Sequence, residues 1–287
     1  LVKIMNRKYR MNVINKPLEL KKIKKIELNL LLQFNQICKE QGFRYSLAGG
    51  TLLGAVRHGG FIPWDDDIDV IMPRPDYDRF MQYCLNNKTP FKLHYYKESK
   101  NYILIDAKIS DPSTVLVDQV LTSKSLNIGV FIDIFAIDGL GKDKESAKKQ
   151  FFRTSLKREV LNAMTWKKFF RSKTKPLYYE PIRFAVYLMS RFSNANKLLN
   201  AIEKINREVD FDTSQYAGCV SGVYRTKEIM KTSVFKSFIS MKFEDYEFQC
   251  VRNYDMYLKQ LYGNYMELPP IEKRQTHHTF KAYKVER

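Results

Sequence analysis

Residues Trp64–Met72 read WDDDIDVIM, and this segment carries the strongest signal for the fold. Four carboxylates fall within five residues, and they repel one another unless a cation compensates them. From Asp67 onward acidic and apolar residues alternate, which is the period of a strand. We therefore predict that Asp67 and Asp69 lie on one face of a buried strand, about 7 Å apart along the chain.

This pair of carboxylates has the chemistry of a site for a hard divalent cation. Mg²⁺ takes few ligands from the protein, keeps several waters and accepts phosphate oxygens as its remaining ligands. Asp67 and Asp69 are predicted to hold one or two such ions, with Mg²⁺ as the first candidate and Mn²⁺ as the second. A solvated acidic turn is the alternative, but burying these charges on an apolar strand without compensation would be prohibitive.

A third carboxylate occurs in the apolar segment Phe131–Phe135 (FIDIF). This segment predicts a strand, and a strand beside residues 67–72 would bring Asp133 next to Asp67 and Asp69. Asp133 is therefore the predicted third metal ligand. A polar strand position that faces water is the alternative.

Upstream of the acids, Gly49-Gly50-Thr51 follows a predicted strand (Tyr45–Ala48) and precedes a predicted helical turn that ends at Val56. Backbone N–H groups at such a turn can bind phosphate oxygens. A glycine pair alone is weak evidence for a phosphate site. Here, however, it stands about 17 residues before Asp-x-Asp, with a third acid on a later predicted strand. This layout resembles the nucleotidyltransferase fold, in which metals and a glycine turn hold the phosphates of a nucleotide.

The rest of the chain predicts an α/β (α+β) protein, with a mixed sheet core flanked by helices. Three parts are expected: a catalytic core (residues 1–141), a basic, mostly helical insertion (142–210), and a C-terminal part (211–287) that completes the core with a hairpin, a helix and a tail. The expected elements of the last two parts are helices over 143–171, 176–192 and 194–209, a hairpin over about 216–250 and a helix over Arg252–Tyr262.

The charge of the chain is strongly positive, with 49 Lys and Arg against 31 Asp and Glu, a net +18. Residues 1–25 hold nine basic groups and one acid, and residues 142–207 hold 17 basic groups and five acids interleaved with bulky apolar residues. Such a mixture suits an anionic membrane, a phosphate-bearing substrate or a nucleic acid, and composition does not separate these partners. No apolar run approaches the roughly 18 residues of a membrane span.

Residues Gly50–Val70 (GTLLGAVRHGGFIPWDDDIDV) closely resemble the hallmark of the LicD family, which includes bacterial phosphocholine transferases and is related to the fukutin-type proteins. Two further segments are similar to that family: Gly129–Leu140 (GVFIDIFAIDGL) and Tyr262–Tyr283 (YGNYMELPPIEKRQTHHTFKAY). The likeness covers about residues 20–140 and 240–284, and the basic insertion has no clear counterpart.

The resemblance implies transfer of phosphocholine from CDP-choline to a sugar hydroxyl of a lipid-linked cell-surface glycan precursor, of teichoic acid or lipopolysaccharide type, with release of CMP. By position, Asp67 and Asp69 match the metal-binding pair and Asp133 matches the third acid, which is also the candidate base for the acceptor hydroxyl. Arg57 and Lys108 are candidate clamps for diphosphate oxygens. A surface ion pair is the alternative for Arg57.

Two further predictions concern the nucleotide and the choline group. The match at the tail suggests that His277 or His278 faces the site, with His278 as the candidate, although ordinary packing would explain either residue. Quaternary ammonium groups favour aromatic surroundings, and Trp64 beside the acids is the candidate contact. Trp64 would serve equally well as a core anchor.

Two other functions remain open from the residues. A nucleotidyltransferase would attach the nucleotide and release pyrophosphate instead of CMP. A basic nucleic-acid-binding module would use the charged segments, but it leaves the acids unexplained, so we expect no nucleic acid partner. Four widely spaced cysteines and the absence of a signal peptide pattern predict a cytoplasmic enzyme that binds peripherally to the anionic inner face of the membrane.

Overall fold

The acidic segment leads into a strand, from Asp69 onward, of the largest sheet among the described residues. The computed structural model of the chain describes residues 12–13, 16–99, 101–117, 128–172, 175–274 and 280–286. These residues form a seven-stranded mixed sheet with helices packed around it, which confirms the predicted fold class. None of the helices in the described ranges is both long and apolar enough to cross a lipid bilayer.

The described elements are numbered here in chain order. The helices are α1 (Leu20–Gln41), α2 (Gly49–His58), α3 (Arg74–Asn86), α4 (Lys144–Arg153), α5 (Ser155–Met164), α6 (Glu180–Phe192), α7 (Ala195–Asn206) and α8 (Tyr254–Tyr262). The strands are β1 (Asn12–Val13), β2 (Ser46–Leu47), β3 (Asp69–Pro73), β4 (Lys92–His94), β5 (Ala107–Ser110), β6 (Thr114–Val117), β7 (Phe131–Gly141), β8 (Tyr216–Gly218), β9 (Met230–Lys231), β10 (Phe238–Phe243), β11 (Tyr246–Val251) and β12 (Lys281–Glu286).

The long central strand β7 organises the main sheet, whose order is β2-β3-β7-β5-β4. The first part of β7 pairs with β3 in parallel and with β5 antiparallel. Its last residues pair with β8, which in turn pairs with β9. Two smaller sheets lie outside this one: the hairpin β10–β11 and the three strands β1-β12-β6.

The register of the main sheet places three charged residues side by side. Asp69 on β3 is opposite Asp133 on β7, and Asp133 is opposite Lys108 on β5. Neighbouring strands are about 4.8 Å apart, so the three side chains stand in one row across the sheet. The predicted strand over Phe131–Phe135 is confirmed, and it does lie next to the acidic segment.

Helix α1 packs on the sheet with the apolar face that its sequence predicts. Its buried side chains recur at helical spacing and include Leu30, Leu31 and Phe34. The helix ends where Gly42 takes a left-handed conformation, with φ 66°, and donates its N–H to the carbonyl of Cys38. Glycine takes this conformation at no steric cost, so the helix ends here.

Several predicted bounds were wrong. Strand β3 begins at Asp69, so Asp67 precedes the strand instead of lying in it. The neighbouring strand β2 ends at Leu47, because helix α2 begins at Gly49 and leaves residues 65–68 without a strand to pair with on that side. Alternation in the sequence thus overestimated the strand by two residues.

The helical insertion and the tail also differ from prediction. The helix expected over 143–171 is two helices, α4 and α5, separated at Thr154. The expected hairpin is confined to β10–β11, because residues 216–218 join the main sheet beside β7. Strand β12 was not predicted at all. It pairs with β1 and β6, which are far from it in the sequence.

The insertion packs firmly against the core. Leu161 of α5 and Leu199 and Ile202 of α7 belong to the main hydrophobic cluster of the sheet. This contact does not decide the predicted boundaries at 141 and 210, which stay a prediction. It does mean that two helices of the insertion share the interior of the catalytic core.

A buried charge network ties the same helix α7 to α3 and β7. The Nε of Arg74 donates to Oδ1 of Asp138 at 2.5 Å, and its Nη1 lies 3.4 Å from the carboxylate of Glu203. Arg207 pairs with Glu203 at 2.9 Å and with Asp78. Each buried carboxylate here has a guanidinium partner, which is the condition for burying an ion pair without a large penalty.

Candidate active site

The loop before β3 gathers three carboxylates in one place. Single carboxylate oxygens of Asp65, Asp66 and Asp67 lie within 4.8 Å of one another. The loop turns back after Pro63, where the N–H of Asp65 donates to the carbonyl of Ile62. Burial raises the pKa of Asp65, and the neighbouring charge of Asp66 adds to the rise. Ionising all three together therefore costs free energy unless a cation is bound.

Asp69 continues this cluster at the start of β3. Its backbone N–H donates to the hydroxyl of Thr51 at 2.9 Å, which joins the strand to helix α2. Burial raises the pKa of Asp69 well above its ordinary value, and the charges of Asp67 and Asp133 add to the rise, whereas Lys108 opposes it. The pKa of Asp69 is therefore affected by the charges of both other predicted metal ligands, Asp67 and Asp133.

Asp133 and Lys108 form an ion pair inside the site. The Nζ of Lys108 donates to Oδ1 of Asp133, and both side chains are largely buried. The ammonium group also lies 3.9 Å from the centre of the Phe131 ring, in the geometry of a cation–π contact. The structure therefore brings both predicted residues to the sheet position beside Asp69, and it supplies the positive charge there.

The glycine turn lies against the carboxylates of Asp65 and Asp69. Gly49 has φ +51°, and a Cβ on it would lie 3.1 Å from Oδ2 of Asp69. A Cβ on Gly50 would lie only 2.5 Å from Oδ2 of Asp65. Both glycines are in the first turn of α2, so the positive end of that helix lies beside the carboxylates.

Two predicted residues have other partners in the structure. The Nη1 of Arg57 donates to the carbonyls of Tyr265 and Glu267, at 2.8 and 3.2 Å, and so holds the chain that follows α8. Trp64 is half-buried, and the guanidinium of Arg274 lies 5.3 Å from its ring centre. Their predicted contacts with diphosphate and choline stay predictions. The predicted His278, like His277, lies outside the described residues.

Helix α1 contributes residues that the sequence did not single out. Glu27 is 2% exposed, and burial together with the charges of Asp67 and Asp66 raises its pKa. Lys24, one turn earlier, donates to the carbonyls of Ile62 and Pro63 and supports the acidic loop. An acid at a position of the apolar helix face was the signal that could have identified Glu27.

Tyrosines from the C-terminal part line the glycine turn. The N–H of Gly49 donates to the hydroxyl of Tyr257 at 3.4 Å. Tyr262, also on α8, is close to the same glycine and packs edge-on against Tyr224, with ring centres 5.2 Å apart. The last part of the chain thus completes a site that the first part begins.

The donor set fits a hard divalent cation. It consists of carboxylate oxygens from Asp65, Asp66, Asp67 and Asp69, with Asp133 in the neighbouring strand, and these acids outnumber the lysines that reach them. Hard oxygen donors with a surplus of negative charge suit Mg²⁺ or Mn²⁺. The three-residue cluster is Asp65–Asp67, so Asp65 and Asp66 join the predicted ligands as candidates.

Comparison with known proteins extends the family likeness into the helical insertion. Residues 42–183 match the family model described as LicD/FKTN/FKRP, nucleotidyltransferase domain. The chain is 32% identical to the lipopolysaccharide cholinephosphotransferase LicD of Haemophilus influenzae, over 93% of this chain and 99% of that protein.

Two shorter similarities cover parts of the chain. Thirty-four residues are 56% identical to the human ribitol 5-phosphate transferase FKRP, which is 12% of this chain and 7% of that protein. An uncharacterised protein of Rickettsia typhi is 34% identical over 83 residues, 29% of this chain and 26% of that protein. With a relative aligned over almost its whole length and an acid-rich nucleotidyltransferase core, the chain belongs to the LicD family.

Proposed function

We propose that this protein transfers phosphocholine from CDP-choline to a sugar hydroxyl of a lipopolysaccharide-type glycan precursor and releases CMP. The observation that carries this proposal is the similarity over nearly the full length to a lipopolysaccharide cholinephosphotransferase. The row of Asp69, Asp133 and Lys108 beside a glycine turn supports it, because these groups suit a nucleoside diphosphate bound with a divalent cation. A teichoic acid precursor is the second candidate acceptor.

The donor binds with its diphosphate next to the acids and the first turn of α2. The positive end of α2 is adjacent, and its partial charge favours phosphate oxygens. Asp67 and Asp69, with Asp133 or the neighbouring Asp65 and Asp66, would hold Mg²⁺ or Mn²⁺. That ion neutralises phosphate charge when it is bound.

The reaction exchanges one phosphorus–oxygen bond for another. The acceptor oxygen attacks the phosphorus that carries choline, its bond to that phosphorus forms as the bond to CMP breaks, and CMP leaves as the monophosphate. Asp133 takes the proton of the hydroxyl. Lys108 lies against Asp133 and balances charge on the phosphoryl oxygens as the bond order changes.

The choline group and the diphosphate have two further candidate contacts. The guanidinium of Arg274 lies over the Trp64 ring at the distance where an ammonium group would bind. Choline would replace this guanidinium on the ring. Arg57 would contact the diphosphate by exchanging its carbonyl partners for phosphate oxygens. The predicted contact of His278 with phosphate remains part of the same proposal.

The enzyme is proposed to bind the anionic inner face of the membrane, where a lipid-linked acceptor is held. Helix α6 has a single buried residue, Ser190, and exposes Ile182, Leu188 and Phe192, the last of them 91% exposed. Exposed apolar side chains in a segment of high positive charge suit the boundary of an anionic bilayer. Phe192→Ser combined with Ile182→Ser should reduce flotation with phosphatidylglycerol vesicles, whereas Met256→Ser, at an exposed site on α8, should not.

The transfer reaction has a direct test. The protein is incubated with Mg²⁺, CDP-choline and a lipo-oligosaccharide, and the products are identified by mass spectrometry. CMP and a glycan heavier by one phosphocholine are expected, and excess EDTA should stop their formation. Pyrophosphate with a nucleotide-bearing product would show a nucleotidyltransferase instead, and nanomolar binding of nucleic acid without turnover would favour the binding module.

A further inference from the structure

A cavity of about 420 Å³ opens beside the proposed base, on the side away from Asp69. Its walls come from the chain before and within β5, from α5 of the helical insertion, and from the loop after β8. Asp133 and Lys108 line one end of it. The cavity therefore begins where the proposed transfer takes place and extends towards the insertion.

The cavity is polar on several sides. Asp106 accepts a hydrogen bond at Oδ1 from the hydroxyl of Ser221. Arg158 donates from Nη1 to the carbonyl of Val220 at 2.5 Å, and its guanidinium lies 4.6 Å from the Phe151 ring centre. The Nε of Arg158 is buried without a hydrogen-bond partner among the described residues. An unpaired buried donor beside a cavity is costly unless a ligand completes it.

The remaining lining residues add amide, hydroxyl and apolar surface. Asn162 is exposed at the rim, and Thr165 is buried one turn further along the chain. Leu104, Leu161 and Val223 provide the apolar part of the wall. A site with a few convergent polar groups on an apolar surface matches a small polar molecule that has both polar and apolar faces.

The charge of the lining distinguishes between possible ligands. None of the described lining residues is aromatic, so the cavity does not suit a quaternary ammonium group. Its arginines are balanced by acids, since Arg225 lies 3.4 Å from Glu159 and Asp106 is near Arg158, so a diphosphate would gain no net attraction. A neutral ligand with several hydroxyl groups fits this balance best.

We infer that this cavity binds the sugar residue of the acceptor and presents its hydroxyl to Asp133. This inference rests on the proposed function, because it takes the reaction to be transfer of phosphocholine to a sugar hydroxyl. The hydroxyl would point past Lys108 to Asp133, while the donor occupies the opposite side, next to Asp69. Asp106 and Arg158 bind the other hydroxyl groups, so helix α5 of the insertion contributes to the choice of acceptor.

The test measures how transferred phosphocholine is divided between glycan and water. Asn162→Cys places a reactive thiol at the cavity rim, and a bulky maleimide attached there would close the cavity, while the four native cysteines are buried. Asn87→Cys, exposed at the end of α3, carries the same label as the matched control. The substrates are CDP-choline and a delipidated lipopolysaccharide oligosaccharide, and the products are phosphocholine-glycan and free phosphocholine.

Labelled Asn162→Cys should lower the ratio of phosphocholine-glycan to free phosphocholine at least about tenfold, because the acceptor loses its place beside the phosphorus. Labelled Asn87→Cys should keep the wild-type ratio. Asp106→Asn should raise the KM for the oligosaccharide roughly tenfold or more, the effect of losing a hydrogen bond to a charged group, with a smaller change in the KM for CDP-choline.

The outcomes separate the two proposals. Wild-type protein that releases no CMP from CDP-choline would overturn the proposed function. An unchanged product ratio in labelled Asn162→Cys, in protein that does transfer phosphocholine, would overturn the acceptor site alone. A parallel rise in the KM for both substrates in Asp106→Asn would assign the cavity to the donor instead.

Discussion

Two groups of carboxylates lie along strand β7 and differ in how their charge is balanced. Near its start, Asp133 shares Lys108 with Asp69, and Lys24 is the cation beside Asp65 in the acidic loop, so acids outnumber cations. Five residues later, Asp138 is held by Arg74, whose guanidinium also reaches Glu203. The balanced group fixes helix α7 on the core. The unbalanced group has free energy to gain from a bound cation, which is the property expected of a functional site.

The largest effect should come from removing a carboxylate of the unbalanced group. Asp69→Asn or Asp67→Asn should lower the rate of phosphocholine transfer about a thousandfold or more, since several kcal/mol of charge stabilisation are lost with the cation. In EDTA, Asp69→Asn should unfold at the same or a higher temperature than wild type, because a like charge has been removed. CMP release and thermal unfolding measure the two effects.

Asp245→Asn, on an exposed turn, is the control for this substitution and should change neither quantity. Wild-type turnover in Asp69→Asn or in excess EDTA would contradict the metal assignment. A large loss of stability would instead place Asp69 with the structural carboxylates.

Substitutions at the two positions of β7 should separate catalysis from stability. Asp133→Ala should lower turnover about a hundredfold, the lower range for loss of a general base. Asp138→Asn should lower the free energy of unfolding by about 3 kcal/mol, because the buried guanidinium of Arg74 loses the carboxylate that it contacts most closely. That loss corresponds to a fall of roughly 6 to 10 °C in the unfolding midpoint, with near-normal turnover in the folded protein.

The comparison between these carboxylates would fail if the effects were exchanged. An Asp138→Asn protein of full stability but low activity would make the network around Arg74 part of the site. Circular dichroism melts and CMP release from the same preparations give both values.

The glycines allow a smaller and more local test. Gly49 and Gly42 both have left-handed φ, 51° and 66°, but only a Cβ on Gly49 would meet a carboxylate, that of Asp69. Alanine at either position should cost about 1 kcal/mol of stability. Gly49→Ala should also reduce turnover roughly tenfold through displacement of Asp69, while Gly42→Ala should not. Equal turnover in the two variants would show that the close approach at Gly49 has no catalytic role.

The smallest effect concerns pH. Although burial opposes it, Arg74 and Arg207 hold the pKa of Glu203 below its ordinary value. A lowered folded-state pKa contributes stability above the unfolded value of 4.5 and loses it as pH falls through the folded pKa. The pKa shift of Asp69 has the opposite sign. A raised folded-state pKa contributes stability at low pH, and this contribution is lost as pH rises through the folded pKa. The stability advantage of wild type over Glu203→Gln should therefore shrink below about pH 4.5, and an advantage that grows there would contradict the pairing.

Much of the site could be predicted because its chemistry is local. The acidic run at 65–69, the acid inside FIDIF and the glycine pair each carry their signal within a few residues, and the expected neighbourhood of Asp133 and Asp69 was found in the sheet. The bound of β3 was wrong, since alternation does not show where the neighbouring strand ends. The hydrogen bonds of Arg57 could not be predicted either, because its carbonyl partners are about 200 residues away in the chain.

The residues missed at the site are those whose role depends on distant contacts. Glu27 lies among apolar positions of α1, and only packing of that helix on the acidic loop reveals the surrounding charges. Asp106 becomes part of a cavity only when Ser221 and helix α5 close around it. Strand β12 had no local pattern that distinguished it, and its hydrogen bonds are made by strands from other parts of the chain.

The sequence alone determined the charge, the family resemblance, the periods of the main elements and the presence of clustered acids that repel one another. These properties depend on residue types and short spacings, which set local conformation and electrostatic repulsion directly. The tertiary structure decided which acids are neutralised and which remain in excess: Asp138 meets Arg74, while Asp69 meets further acids and one shared lysine. Strand register and helix packing set the distances between charges, and those distances decide whether a buried carboxylate stabilises the fold or binds a cation.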